Sequence, residues 1–271
     1  MHKILLTLTL LFHLLAASGQ EARRVVSLAA SITKNIYLLG AGERLVGCTR
    51  YCTTDPADSV IVVADAVNVN MERVVLLQPD IVLLSGLTHP RIVEGLERAG
   101  LKTRRLDQPR DFDEICSQLE LLGEITGNPE RARHINKECR ERLDAVARRV
   151  AEREERPRVF FQIGADPLFT ALPNTFMHDY ITRAGGLNIA ANLDNGIVSR
   201  EFVLLAAPDA ILVTAMGVAG DDQVERWNKS AALPAVRSRR VFTINDSLCS
   251  PTPVTFAGGV EEIFRFIHRD P

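Results

Sequence analysis

The feature that most constrains the fold is a long segment without helix-breaking residues in the middle of the chain. Between Pro129 and Arg156 there is no internal Gly or Pro, and Ala, Arg and Glu predominate. Pro129 suits the first turn of a helix with Asn128 as its cap, and Pro157 prevents continuation. At about 1.5 Å per residue, such a helix spans roughly 40 Å. We therefore predict a stiff helix between two folded halves, because a flexible linker is usually short and rich in Gly or Ser.

Short apolar runs alternate with helical patterns on both sides of this segment. Before it, the predicted strands are Val25–Leu28, Leu45–Cys48, Ile81–Leu84 and Thr103–Leu106, and the predicted helices are Thr33–Leu39, Glu72–Leu77 and Arg91–Ala99. After it, the predicted strands are Arg158–Ile163, Ala210–Thr214 and Arg239–Ile244, and the predicted helices are Thr175–Ala184, Glu201–Ala206 and Pro253–Phe266. This alternation indicates an α/β protein with mainly parallel sheets. We predict an N-terminal lobe over 20–127, a linking helix over 128–157 and a C-terminal lobe over 158–271.

The first residues have the pattern of a secretory signal peptide. His2 and Lys3 form a positive start, an apolar run covers Ile4–Ala17, and the small residues Ala17 to Gly19 follow. This apolar run is too short for a membrane anchor, and a buried N-terminal helix is the alternative. We expect residues 1–19 to be removed near Gly19 and the mature protein to be periplasmic.

Several function classes are disfavoured by charge and by motif searches. A net charge of -2 gives no electrostatic basis for binding nucleic acid. Gly40 and Gly42 follow a predicted helix and precede a strand, which is the wrong order for a dinucleotide-binding loop. No nucleophile–base motif is present, and the histidines of the mature chain lack metal-ligand spacing: His89, His134, His178 and His268. We therefore expect a protein that is not an enzyme, with no catalytic residues, no metal site and no cofactor of its own.

The strongest internal signal is a repeat. Glu72, Val74, Leu76, Pro79 and Asp80 recur as Glu201, Val203, Leu205, Pro208 and Asp209, at the constant offset of 129 residues that separates Glu72 from Glu201. Each copy predicts a short helix opened by a carboxylate, then a Pro-Asp turn into an apolar strand. Asn70 and Ser199 are the predicted caps of the two helices. A common helix-to-strand turn would produce the same pattern, so the repeat alone leaves the symmetry of the lobes open.

The sequence resembles the periplasmic binding proteins that serve cobalamin, haem and iron-siderophore importers, and most closely the cobalamin-binding members. The motifs that carry this resemblance are RVVSLAASITKN from Arg24, LGAGERLVG from Leu39, RYCTTDP from Arg50, NMERVVLLQPDIVL from Asn70, FFQIGADPLFT from Phe160, GGLNI from Gly185 and SRE from Ser199. They occur in order across nearly all of the mature chain. The resemblance implies two Rossmann-like lobes joined by a single long helix, with a ligand cleft between the lobes.

The resemblance also implies which residues bind. Glu72 and Glu201 stand where one glutamate on each lobe docks against the permease dimer of an ABC importer, whose ATPase subunits are separate chains. Tyr51, Phe169 in the DPLFT loop, and Asp246 after the last strand stand at ligand-facing positions. The implied protein is a monomer that captures a corrinoid or a related metal chelate.

At two places the sequence departs from the cobalamin-binding members. Ala66 and the Asp194–Asn195 region replace tryptophans. A trimmed corrinoid, another chelate such as haem or a ferric siderophore, a metal ion, or a different organic ligand therefore stay open, as does an exported enzyme that uses the same cleft.

The five cysteines are an odd number for an oxidising compartment: Cys48, Cys52, Cys116, Cys139 and Cys249. Cys52 and Cys249 each follow a predicted strand, one in each lobe, where a thiolate could coordinate a soft metal carried by the ligand. A pair between Cys48 and Cys52 is the alternative. Cys116 and Cys139 lie on predicted helices and are either core residues or a disulfide between helices.

Overall fold

A computed structural model describes residues 21–65, 68–214 and 220–268 of the protein. The predicted signal peptide and Ala66 lie outside these ranges. Within them, the helices are all too short or too polar to cross a membrane.

The N-terminal lobe is a parallel sheet with helices on both faces. Its strands are β1 (Val25–Ser27), β2 (Leu45–Thr49), β3 (Ile61–Ala64), β4 (Ile81–Ser85) and β5 (Thr103–Leu106), in the order β3-β2-β1-β4-β5. Its helices are α1 (Ala30–Leu38), α2 (Met71–Leu76), α3 (Pro90–Arg98) and α4 (Phe112–Ile125). The sequence-based prediction placed Cys116 on a helix without giving bounds for α4, and it omitted β3. Strand β3 lies at the sheet edge, and its first two residues, Ile61 and Val62, are exposed.

The C-terminal lobe has a mixed sheet. Its strands are β6 (Arg158–Ala165), β7 (Leu168–Thr170), β8 (Leu187–Asn188), β9 (Ala210–Thr214) and β10 (Val241–Ile244). The order is β10-β9-β6-β7, and β8 pairs with the beginning of β6. Its helices are α6 (Phe176–Arg183), α7 (Arg200–Ala206), α8 (Gly220–Asn228), α9 (Pro234–Arg237) and α10 (Pro253–Ile267). The placement of Phe169 in a loop was wrong, because the chain reverses at Asp166-Pro167 and β7 pairs antiparallel with β6.

The linking helix, α5, covers Pro129–Ala151 and has its proline in the first turn, as predicted. It ends before Arg156 because residues 152–156 are all exposed and bury no side chain that would stabilise a further turn. The predicted side-chain cap is also absent. The Asn128 amide instead donates to the carbonyl of Thr126 at 2.9 Å.

One continuous apolar core joins the two lobes through α5. The buried face of α5 carries Ala132, Ile135, Cys139, Leu143 and Val146, and this face belongs to the same cluster as Leu83 of the first sheet and Leu212 of the second. Each lobe has a smaller separate cluster on the other face of its sheet. A large hinge motion between the lobes would expose part of the shared core to water, so the fold favours small opening motions.

A surface ion pair connects α5 with α10. Arg142 and Glu261 make two hydrogen bonds, Nε–Oε1 and Nη2–Oε2, both of 2.9 Å. The hydrogen bonds from Arg142 are the main reason that the pKa of Glu261 is lowered. Because the folded-state pKa lies below the unfolded value, this stabilisation is present above the unfolded pKa and is lost as the pH falls through the folded pKa.

We expect Glu261→Gln to lower the free energy of unfolding by about 0.5 kcal/mol at neutral pH, since both side chains are about one-third exposed. At a pH below the folded-state pKa, the variant and the parent should unfold alike. Urea denaturation of the parent and the variant, at neutral pH and at a pH below the folded-state pKa, measures the two expected differences in unfolding free energy. Glu262→Gln is the control, because it removes the same charge one residue along. An equal loss at both pH values would contradict the ion-pair explanation.

Candidate ligand cleft and docking faces

The carboxyl ends of both sheets point toward the junction of the lobes. Helix α4 begins just after β5, and α10 begins after β10. The first residue of α4, Phe112, contacts Phe256 of α10 with ring centroids 5.3 Å apart, and its backbone N–H donates to Asp179 of α6 at 2.9 Å. Ligands of open α/β sheets bind outside the carboxyl ends of the strands. The candidate ligand cleft is therefore the space between these two sheet edges.

The N-terminal side of the cleft contains a pocket of about 270 Å³. Its lining includes residues at the carboxyl ends of four strands, namely Leu28, Thr49, Ala64 and Ser85, together with Leu87 and His89. Leu87 is 79% exposed. The Nδ1 atom of His89 accepts the N–H of Arg91 at 3.2 Å, which leaves Nε2 as the ring nitrogen available for a hydrogen bond to a ligand. Leu87 and His89 were not predicted as pocket residues, although both lie in the connection between β4 and α3.

Two of the predicted ligand residues lie beside this pocket, in the turn after β2. Tyr51 is 61% exposed. The Sγ atom of Cys52 accepts a hydrogen bond from Thr33 Oγ1 at 3.1 Å and lies 3.3 Å from Thr49 Oγ1. A hydrogen bond from Cys48 is the largest cause that lowers the pKa of Cys52 to about 6, and the two threonines add to it against the opposing effect of burial. These contacts favour the thiolate form of Cys52.

The C-terminal side of the cleft presents an apolar ledge. Phe169 of β7 is 38% exposed and forms a β-bridge with Ile197, which is 55% exposed. The ring of Phe169 lies so close to Gly196 that a Cβ atom there would be 2.5 Å from it. A side chain at position 196 would therefore compete with the ring for this space. Asp194 lines a neighbouring pocket of about 490 Å³ together with Asn174 and Asn192.

The last two predicted ligand residues follow β10. Asp246 and Cys249 belong to a 3-10 turn, Asp246–Cys249, which is held by the hydroxyl of Tyr180 donating to the carbonyl of Leu248 at 3.3 Å. The side chain of Asp246 lies outside what the structure describes. The predicted ligand residues are thus divided between the lobes, with Tyr51 and Cys52 on one and Phe169, Asp246 and Cys249 on the other. Their contact with a ligand stays a prediction.

None of the five cysteines, all of which lie in the described ranges, forms a disulfide. Cys116 and Cys139 are buried core residues, and burial raises the pKa of both thiols. The alternative of a disulfide between helices is therefore wrong. The described part of the chain also contains no group of three or more His, Cys, Asp or Glu side chains arranged to hold a metal ion.

The repeated segments have the same backbone structure in both lobes. The predicted caps are confirmed: Asn70 Oδ1 accepts the N–H of Arg73 at 3.0 Å, and Ser199 Oγ accepts the N–H of Phe202 at 3.2 Å. After each helix one residue adopts a left-handed conformation at the same offset, Gln78 with φ 45° and Ala207 with φ 43°.

The aspartates of the repeat perform the same task in each lobe. Asp80 Oδ2 accepts the N–H groups of Arg23 and Arg24 at 2.7 and 2.8 Å, and its own N–H donates to the carbonyl of Arg24 at 2.8 Å. Asp209 makes the corresponding bonds with Arg158, both of 2.8 Å. Each aspartate thus fixes the start of the central strand of its lobe. A generic turn would not reproduce these contacts, so the repeat reflects related lobes.

Each repeat also exposes a matched surface. On α2, Glu72 is exposed together with Val75 and Leu76, and we call these three residues the α2 face. On α7, the residues at the same offset form the α7 face: Glu201, Leu204 and Leu205. Leu76 is 80% exposed and Leu205 is 87% exposed. The glutamates were predicted from the sequence and the exposed apolar residues were not, because a leucine in an amphipathic helix is normally expected to be buried.

Comparison with known proteins places these features in a family. The sequence matches the family described as "Periplasmic binding protein" over residues 25–248. The vitamin B12-binding protein of Yersinia pestis (strain Pestoides F) is 30% identical, over 90% of this chain and 93% of that protein.

Solved structures show the same fold. The periplasmic vitamin B12 binding protein of Vibrio cholerae has a TM-score of 0.76 and 27% identity, covering 91% of this chain and 96% of that one. A periplasmic heme-binding protein from Roseiflexus sp. RS-1 has a TM-score of 0.77 and 25% identity, covering 92% and 98%. The two-lobed fold with one linking helix is thus shared with proteins that bind solutes, and this chain belongs to the periplasmic binding protein family.

Proposed function

We propose that the protein is exported, captures a corrinoid or a related metal chelate between its lobes, and delivers it as a monomer to the permease dimer of an ABC importer. The permease and its ATPase subunits would be separate chains, and the protein would release its ligand chemically unchanged. The 30% sequence identity with a vitamin B12-binding protein, over 90% of this chain and 93% of that protein, supports this class of cargo.

The observation that carries this proposal is the duplication of one surface on both lobes. The α2 face and the α7 face each combine a carboxylate with two exposed apolar residues at the same offset. Exposed apolar patches on soluble proteins mark interaction sites, and charge complementarity fixes the orientation of a complex. A partner with two-fold symmetry would present two identical sites, and two related lobes can satisfy both.

The side chains of the cleft favour a large organic ligand. Tyr51 and Leu87 on one lobe and Phe169 and Ile197 on the other expose apolar surface beside strand ends. Ligand pockets are lined mainly by apolar and aromatic groups with a few polar groups for orientation, and His89 supplies such a group here.

A binding panel tests the cargo. We expect cobalamin or its truncated form cobinamide to raise the melting temperature of the purified mature protein, because a ligand that binds only the folded state stabilises it by about 2.7 kcal/mol at 100 times its dissociation constant. The panel also contains haem, ferric siderophores and free divalent metals. Phe169→Ala should weaken the response, whereas Leu187→Ala should not, because it removes an exposed leucine of β8, which pairs with the start of β6. A panel without any corrinoid response would contradict the corrinoid assignment.

Haem is the second candidate. The exposed phenol of Tyr51 at the cleft is an oxygen ligand suited to ferric iron, as tyrosine is in some haem proteins. A haem response that Tyr51→Phe abolishes, without a response to corrinoids, would favour this alternative.

A further inference from the structure

We propose that Cys52 and Cys48 form a thiol–disulfide exchange pair beside the N-terminal pocket, in which Cys52 attacks a small disulfide and Cys48 resolves the mixed disulfide. Nothing in this proposal depends on the identity of the cargo.

The attacking group is set up by the turn that follows β2. The backbone N–H of Cys52 donates to the carbonyl of Thr49 at 3.1 Å, which closes the turn and brings Cys52 back toward the end of the strand. Thr49 Oγ1 accepts the N–H of Tyr51 at 3.3 Å, so its hydroxyl hydrogen is available to Cys52 Sγ. Together with Thr33, Thr49 supplies donors that stabilise a thiolate, which is the nucleophilic form of cysteine.

The resolving group has the opposite properties. Cys48 is 2% exposed and interacts with Cys52 through a hydrogen bond between the two side chains. That hydrogen bond and burial raise the pKa of Cys48. Cys52 is therefore the partly exposed thiol, with hydrogen-bond donors around it, and Cys48 is the buried thiol beside it.

The chemistry balances with a low-molecular-weight disulfide, RSSR, as the oxidant. The Cys52 thiolate attacks one sulfur, forming Cys52–S–SR and releasing RS⁻. Cys48 then attacks the Cys52 sulfur, its proton passes to the departing thiolate as RSH, and the Cys48–Cys52 disulfide remains. The two cysteines lose two electrons, and RSSR gains them.

The other cysteines provide internal controls. Cys116 and Cys139 are buried in the shared core, where burial raises the pKa of each thiol and slows attack. Cys249 lies on the C-terminal lobe near Tyr180. Reaction at Cys52 ahead of the other cysteines would therefore distinguish an exchange pair from unselective oxidation of all thiols.

The first experiment treats the reduced, full-length mature protein with glutathione disulfide, blocks the remaining thiols and maps the products by mass spectrometry of proteolytic peptides. We expect a Cys48–Cys52 disulfide in the parent protein. We expect a persistent mixed disulfide on Cys52 in Cys48→Ala, and no modification of Cys48 in Cys52→Ser. A mixed disulfide that persists in the parent protein, or reaction at Cys249 as fast as at Cys52, would overturn the proposal.

The second experiment follows the alkylation rate of Cys52 by iodoacetamide against pH. The rate should rise to half its plateau near pH 6, because the thiolate form is populated above a pKa of about 6. Thr49→Val should move the midpoint upward toward the ordinary thiol value of about 8.5. Thr53→Val, which removes an exposed hydroxyl next to Cys52, should leave it in place. A midpoint of ordinary value in the parent protein would refute the activated thiolate.

Discussion

Uptake of the cargo should be abolished when Glu72 and Glu201 are both replaced by alanine, while the purified double variant keeps its affinity for the ligand. Losing one partner of a buried, hydrogen-bonded charge pair costs about 2–5 kcal/mol. Loss of two such pairs would weaken the complex with the permease by more than about a thousandfold. Ligand affinity should persist because both glutamates are exposed on helices outside the described pockets.

Because the two faces are equivalent, the contribution of each face, and of its carboxylate and apolar parts, can be tested separately. Each single glutamate variant should retain partial uptake, since one of two equivalent sites remains. Leu76→Ser with Leu205→Ser tests the apolar part of the α2 face and the α7 face while both carboxylates stay in place. The control is Glu94→Ala with Glu225→Ala, which removes two exposed carboxylates from α3 and α8.

Uptake is measured as accumulation of labelled ligand in cells that express the importer, and ligand affinity is measured by calorimetry on the purified variants. Normal uptake by the double glutamate variant would refute docking through these residues. If the control variant, Glu94→Ala with Glu225→Ala, lost uptake to the same extent, the effect would be due to the change in net charge.

A second large effect is expected at Trp227, which packs against the first residue of α7. Trp227 lies on α8 and is fully buried, and its indole N–H donates to Gln162 Oε1 at 2.6 Å. The guanidinium of Arg200, the first residue of α7, lies 3.9 Å from the centre of its ring. We expect Trp227→Ala to lower the free energy of unfolding by about 3–5 kcal/mol, because it leaves a cavity and an unpaired buried amide oxygen.

Trp227→Phe separates the two causes. Phenylalanine fills most of the volume but leaves Gln162 Oε1 without its donor, so we expect a smaller loss of about 1–3 kcal/mol. Unfolding in guanidinium chloride should be followed by circular dichroism, because Trp227 is the single tryptophan of the chain and its fluorescence is lost in both variants. Equal losses in the two variants would show that the hydrogen bond, and not the volume, provides the stabilisation.

Features governed by local interactions were predictable from the sequence. The caps Asn70 and Ser199 and the proline that opens α5 depend on neighbours within a few residues, and the structure has all three. The central strands were also predictable, because a strand covered on both faces must be a continuous apolar run. The family resemblance, carried by ordered motifs in both halves, was confirmed.

Features that depend on distant partners were not predictable. Helix α5 ends at Ala151 because packing stops there, although the residues beyond it have no lower intrinsic tendency to form a helix. Strand β7 exists because β6 offers a free edge, and the thiolate of Cys52 depends on Thr33 from another element.

Two α/β lobes and the helix between them could thus be predicted from the chain alone, since periodicity and caps depend on interactions between residues close in sequence. Which residues remain exposed depends on how the elements pack against one another. Leu76 and Leu205 have the composition of core residues, yet each lies on the outer face of its helix because the helix already buries Val74 or Val203 against its sheet. Burial is a property of the assembled lobes, and the matched faces became visible only there.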